Sequence, residues 1–500
     1  MKKLAGQTVI YGLSTIISRL LNLFFTPFYT DVFPKGVYGI YTNLYAGVAF
    51  ANVVLTFGME TTFFRFLQDN KDPKKVYNQA FFWILVLVGT FLLVGLLFHE
   101  NVASAMGYEG HGRLIFLLMG IIGIDALAAL PMAKLRYEEK VMRFAAINII
   151  NISITIILNL VFIYFLELGI MYVFVANLVA SFFKFLMALW GNLPSSLKPN
   201  VALLREMVDY AFFIMIAGFA GIMNETLDRF MMPRWWGDEA KDFQGEFLTG
   251  TEMVGVYGAS YKVAGLIYLA TQAFRYAVEP FFFKQAGEKN SPQTFARIFH
   301  YFIIASLTGF LLVGSFRFEI VSFNFFGIPN VLGMGTKTFV NEAYWSGIVV
   351  IPILLLAYVF NGAYINMSIW FKITKQTRMA IWFTGTGALI TILINYFGIP
   401  TYGYMASAWA TLICYVVMSI MVYAIGQKHY PIPYKIGRLI VYLGTALLGF
   451  VLNEQLGGAL DSWGLFLVKG LVVLASLGVI SLMEYFYPLF SQKDESILKE

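Results

Sequence analysis

Fourteen stretches of this 500-residue chain are apolar over about the length of a bilayer crossing, and that sets what it can fold into. A membrane helix needs ~20 mostly apolar residues. The runs fall at 5–30, 38–64, 76–98, 113–133, 144–166, 170–190, 207–232, 253–275, 298–316, 346–369, 379–397, 404–425, 438–453 and 463–484, here called spans 1 to 14. Hydrophobic residues are 59% of the chain, so this many spans use nearly all of them. Charged residues are only 13%, against about 25% in soluble domains. The fold expected is an all-α polytopic membrane protein. A soluble enzyme, a nucleic-acid binder and a disordered chain are ruled out. The stretch 317–345 is apolar but broken at Gly327 and Pro329, and reads as an interfacial or re-entrant connection.

The loops give orientation, because basic residues collect on the cytoplasmic side. With the N-terminus inside, the inner segments hold 24 of the 35 Lys and Arg, and the outer segments hold 6. Both termini are therefore expected on the cytoplasmic side. The net charge of +6 mostly records this asymmetry.

The chain also repeats itself. Gly36-Val37-Tyr38-Gly39 recurs as Gly255-Val256-Tyr257-Gly258, with Glu60 and Arg65 matched by Glu279 and Lys284 at the same offset of 219. Lys140, Arg143 and Ala145 recur as Lys375, Arg378 and Ala380 at 235, and Asn159 as Asn395. Tyr11 and Pro34 match Tyr210 and Pro233 at 199, so the segment Gly237–Thr251 is an insertion in the second copy. An ordered series of this kind predicts two six-helix lobes, residues 1–200 and 201–430, with spans 13 and 14 (431–500) added outside the repeat. Six is even, so the lobes share one orientation and relate by a pseudo-twofold axis along the membrane normal. A binding site is expected between them near the midplane. Such an organisation argues for alternating access.

Charges inside a span each cost ~2.5–3.5 kcal/mol on the insertion scale and need a reason. Those present in only one copy are the better candidates for substrate contact. Arg19 matches Gly218 and shares a helix face with Thr15, Asn22 and Thr26, a polar stripe suited to a wet cavity. Lys262 matches Asn43 and has Tyr257 and Tyr261 beside it. The substrate-contact candidates are therefore Arg19, Asn22, Tyr257, Tyr261 and Lys262. Asp125, mid-span 4, is either a counter-ion to Arg19 or a proton site. Glu225 and Arg229 are four apart on span 7 and can pair, as a structural link or an outer gate. Lys184 and Lys469 lie nearer span ends and can snorkel. Glu60 with Arg65 and Glu279 with Lys284 form a symmetric set at inner ends, a candidate inner gate.

Nothing in the sequence has the spacing of a chemical site: there is no nucleotide-binding loop, no zinc spacing and no nucleophile elbow. Cys414 is single and the four His are scattered, so neither a disulfide nor a metal site is expected. No enzymatic role and no cofactor are expected. Without an ATP site, transport must draw on an ion gradient, H+ or Na+, or on the substrate's own gradient. A cavity of positive character favours an anionic ligand, and a guanidinium suits phosphate.

The plan of six, six and two spans resembles the MOP (multidrug/oligosaccharidyl-lipid/polysaccharide) flippase superfamily. The resemblance is carried by Ser18-Arg19-Leu20-Leu21-Asn22, Gly36-Val37-Tyr38-Gly39, Asp228-Arg229-Phe230, Gly255 through Lys262, and Gly403-Tyr404-Met405-Ala406-Ser407-Ala408. Its details are similar to the bacterial polysaccharide-transport (Wzx-type) branch. That resemblance implies a flippase in the bacterial inner membrane that moves undecaprenyl-diphosphate-linked oligosaccharide to the periplasmic leaflet for O-antigen, capsule or exopolysaccharide assembly. Its implied partners are that lipid-linked substrate, membrane lipids, and a glycan polymerase with its assembly proteins. The resemblance implies diphosphate contact at Arg19 and Lys262. The alternatives are a cation-coupled multidrug exporter, a lipid II flippase, or a membrane glycan polymerase.

Overall fold

The computed structural model describes residues 25–68, 72–237, 241–242, 245–285, 288, 290–323, 338–374, 376, 378–456 and 462–486. Among these, regular structure is helical, save one isolated bridge between Lys241 and Phe247. Thirteen described helices are long and apolar enough to cross a membrane, and they coincide with spans 2 to 14. The part of span 1 that carries Arg19 and Asn22 lies outside the described residues; the chain emerges from it as α1, Thr26–Val32.

Span 2 is α2 (Lys35–Thr56) and α3 (Met59–Gln68); α4 (Pro73–Ala105), α5 (Gly112–Tyr137), α6 (Val141–Asn159) and α7 (Met171–Leu189) follow. Spans 7 to 9 are α8 (Val201–Trp235), α9 (Gly250–Gln285) and α10 (Ser291–Ser315), with a short α11 (Arg317–Ser322) after them. Span 10 opens as a 3-10 helix, Glu342–Val350, and continues through α12 (Ile351–Met367) and α13 (Ile369–Ile373). The rest are α14 (Met379–Tyr402), α15 (Tyr404–His429), α16 (Ile436–Leu456) and α17 (Ser462–Phe486). Of the connection expected at 317–345, residues 324–337 lie outside the described residues.

Local chemistry explains several boundaries. Asp72 accepts from Lys74 N (3.0 Å) ahead of Pro73, and Asn200 accepts from Leu203 N (3.2 Å); both satisfy N–H groups that a helix start leaves without partners. Span 2 breaks at Phe57 and Gly58, which have φ of 51° and 67°. At Gly58 the missing side chain is also filled by α8: a Cβ there would lie 2.8 Å from Ile214.

In lipid, helices associate through close packing more than through expulsion of water, so small residues mark the contacts. In the first half α5 packs on α4 and α7, and α6 on α7. In the second, α14 and α15 pair, α8 packs on α14, and α12 on α15 and α9. The halves meet where α2 runs along α9 and α8. Repeat partners Asn159 and Asn395 have the same surroundings. Each donates to the carbonyl four residues back (2.8 Å), and each Oδ1 accepts a hydroxyl, from Tyr29 (2.9 Å) or Ser407 (2.6 Å).

Helices α16 and α17 pack on α10 and are tied to its neighbourhood at both ends. At one end Arg317 forks onto Glu454 (2.6 and 2.7 Å), Lys469 meets Glu319 (2.7 Å), and Asn453 donates to Ser315 (2.8 Å). At the other, buried His300 meets Glu484 (2.8 Å), which also accepts from Tyr442. Lys469 thus finds a carboxylate in place of the expected route to the interface.

Candidate functional site between the two halves

The two copies of the Gly-Val-Tyr-Gly motif pack directly on each other. Gly39 of α2 and Gly255 of α9 sit where the helices cross, backbone on backbone. Gly258 adds a third close approach, facing Thr42. The crossing lies at the Pro34 end of α2, and polar contacts surround it. Lys35 pairs with Glu246 (2.9 Å), Tyr344 donates to Phe33 O (2.7 Å), and Arg234 donates to Ala105 O (2.5 Å). Glu246 belongs to the insertion that distinguishes the second copy, and Asp242 of the same insertion accepts from buried Tyr404 (2.9 Å).

One helical turn further along α9, Lys262 reaches the first half. Its ammonium lies 5.3 Å from the Tyr38 ring centre and 5.5 Å from that of Tyr41. Aromatic faces attract a cation by roughly 0.5–2 kcal/mol without neutralising it. No carboxylate stands within ion-pair distance of Lys262 among the described residues.

On the second half, Glu225 of α8 is enclosed by two phenols. Tyr261 donates to Glu225 Oε2 (2.8 Å), and Tyr415 of α15 donates to Oε1. The Arg229 guanidinium lies 4.1 Å from the Tyr261 ring centre. Tyr261 therefore stands between the two charges expected to pair directly. It bonds one by its hydroxyl and supports the other by its face. Tyr257 and Tyr358 pack on the same ring at 5.6 and 5.8 Å.

On the first half, Asp125 pairs with Lys184 of α7 (3.1 Å). That gives Asp125 a partner within its own half and Lys184 a role other than snorkelling. About two turns along α7 on the same face, Asn177 donates to Tyr45 of α2. Glu60 also pairs within its half, with Arg136 of α5 (2.5 Å), where the repeat suggested a contact across the axis. Arg65 ends α3 at the same end; the side chains of Glu279 and Lys284, like Arg19 and Asn22, lie outside the described residues.

The sequence named Tyr257, Tyr261 and Lys262; around them the structure gathers Tyr38, Tyr41, Tyr45, Tyr358 and Tyr415, which the sequence did not name. A signal was available for three of them. Tyr38, Tyr41 and Tyr45 recur at i, i+3 and i+7, one stripe of α2, and their rings follow one another at 5.8 and 4.6 Å. Tyr358 and Tyr415 come from distant spans and had none.

A family model for polysaccharide biosynthesis proteins matches residues 4–285. No curated protein matches the chain by sequence. Among solved structures, the lipid II flippase MurJ in an inward closed conformation is similar, with a TM-score of 0.71 at 14% identity, over 96% of this chain and 99% of that one. An inward-facing multidrug resistance MATE family transporter of the MOP superfamily gives 0.63 at 15% identity, over 83% and 97%. A MOP superfamily transporter from Pyrococcus furiosus gives 0.56 at 15% identity, over 85% and 94%. At these identities the likeness establishes the fold, which is that of the MOP superfamily.

Proposed function

The chain belongs to the polysaccharide biosynthesis protein family, and we propose that it is a flippase for undecaprenyl-diphosphate-linked oligosaccharide. It acts in the bacterial inner membrane, with both termini cytoplasmic, and serves surface polysaccharide assembly. The observation that carries the reading is Lys262. A cation from the second half faces two tyrosine rings of the first, with no described carboxylate to neutralise it. Holding such a charge inside a membrane span is costly unless a ligand completes it, and a diphosphate would do so.

Transport proceeds by alternating access of lobes 1–200 and 201–430. The loop charges put the Pro34 end of α2 outside, so the glycine crossing and the Lys35–Glu246 pair close the outer side while substrate enters from the inner one. Opening requires the crossing to part. Coupling to an H+ or Na+ gradient is assigned to Glu225, since Asp125 already has Lys184 opposite it. Neutralising Glu225 weakens its hold on Tyr261 and so alters the support under Arg229.

The test is deletion of the gene. It should accumulate lipid-linked oligosaccharide on the cytoplasmic leaflet and abolish surface glycan, with drug susceptibility unchanged. Intact glycan together with raised drug sensitivity would instead favour a cation-coupled exporter.

A further inference from the structure

We propose that Tyr45, Asp125, Asn177 and Lys184 form a saccharide subsite in the first half, separate from the diphosphate contact at Lys262; this rests on the flippase reading and adds the sugar-recognising part of the site.

The four residues face inward. On α5, Asp125 is nine residues from Phe116, which is two and a half turns at 3.6 residues each. It therefore lies on the opposite side from that exposed ring. Arg136, about three turns beyond Asp125, points the same way and meets Glu60 of α3. On α7 the exposed residues are Phe182, Phe183 and Leu186; Lys184 and Asn177, seven apart, share the other face. Tyr45 reaches Asn177 from α2 and accepts from its amide, about two turns along α7 from Lys184, and α2 itself packs on α5.

Although turned away from lipid, the ion pair is not sealed: the side chains of Lys184 and Asp125 remain 24% and 34% exposed. Charges in a span that keep this exposure on an inward face line a wet space. Their contact is also incomplete. Lys184 engages one carboxylate oxygen, Oδ1. Among the described residues, the other oxygen and two ammonium hydrogens make no further hydrogen bond, which leaves them to a ligand.

The chemistry fits a sugar better than a phosphate. A carboxylate beside the lysine repels an anion. Neighbouring hydroxyls of a sugar ring can each donate to a carboxylate oxygen and accept from an ammonium or amide hydrogen. Tyr45 adds an aromatic face and a hydroxyl. The tyrosine stripe of α2 then runs from this cluster to Lys262 through Tyr41, so a glycan here and a diphosphate at Lys262 can belong to one molecule.

The experiment uses the full chain in nanodiscs and two probes: undecaprenyl diphosphate, and the lipid-linked oligosaccharide that accumulates on deletion of the gene. Asp125→Asn and Asn177→Ala should weaken the glycan-bearing lipid by roughly tenfold each and leave undecaprenyl diphosphate unchanged, because a site built to bond hydroxyls discriminates through them. Lys262→Ala should weaken both. Equal loss for both lipids in Asp125→Asn, or no loss for either, would overturn the subsite while leaving the flippase reading standing. A wild-type chain that binds neither lipid would overturn both.

Discussion

Gly39 and Gly255 cross so closely that neither position has room for a side chain. A Cβ on Gly39 would lie 1.9 Å from the Thr251 carbonyl oxygen, and one on Gly255 would lie 2.3 Å from that of Lys35. Both obstacles are backbone, so no rotamer change relieves them. The motif that the sequence repeats is therefore the point at which its two copies touch.

Gly39→Ala and Gly255→Ala should each force the crossing apart and lower flipping by about tenfold or more, ~1.4 kcal/mol or more on the limiting barrier. Gly36→Ala is the control, since its Cβ would meet only Glu252 Cγ at an ordinary 3.6 Å. Thiol reactivity of a cysteine placed at Lys35 should rise in the first two variants and not in the third. Equal reactivity in all three would show that the crossing does not govern access.

The Lys35–Glu246 pair bridges the two halves beside that crossing. Replacing both with cysteine and oxidising should halt transport, and reduction should restore it. The native Cys414 is buried and does not confuse the readout. Continued transport in the oxidised protein would mean that this end never opens.

Tyr261→Phe keeps the ring beneath Arg229 and removes the donor to Glu225. A hydrogen bond to a charged group contributes ~1.5–3 kcal/mol, so a rate loss of roughly tenfold or more is expected. Glu225→Gln should go further and make transport insensitive to the ion gradient. Retained gradient dependence in Glu225→Gln would move coupling to another group.

Arg317 and Glu454 join α11 to α16 through two parallel bonds, and Lys469 joins α17 to Glu319. A partly exposed pair contributes about 1 kcal/mol or less. Glu454→Ala should therefore lower the thermal midpoint in detergent by about one degree, and Glu454→Ala with Lys469→Ala by more. The double variant should also loosen α16 and α17, read as faster proteolysis between them and α15. An unchanged midpoint in the double variant would show that apolar packing alone holds the pair.

Spans 2 to 14 were legible because a bilayer demands one long apolar run per crossing, and the chain obeys it even at the short thirteenth. The glycine contact was half legible: the repeat named the residues, but not that the copies would meet. Charge partners were the least legible. Asp125 and Lys184 lie 59 residues apart, and Glu60 and Arg136 are joined across two spans. Hydropathy places such residues in depth but says nothing about which helices pack side by side. Tyr261 is the instructive case. Four-residue spacing put Glu225 and Arg229 on one face, and a side chain from α9 came between them.

Whether Lys262 holds the diphosphate is decided by flipping by purified protein in liposomes, with Lys262→Ala set against wild type and Lys262→Arg. Alanine should lower the flipping rate of the lipid-linked oligosaccharide by roughly tenfold or more, ~1.4 kcal/mol of lost contact with the anion, while arginine retains most of it. Wild-type flipping by Lys262→Ala, at equal protein in the bilayer, would contradict that contact.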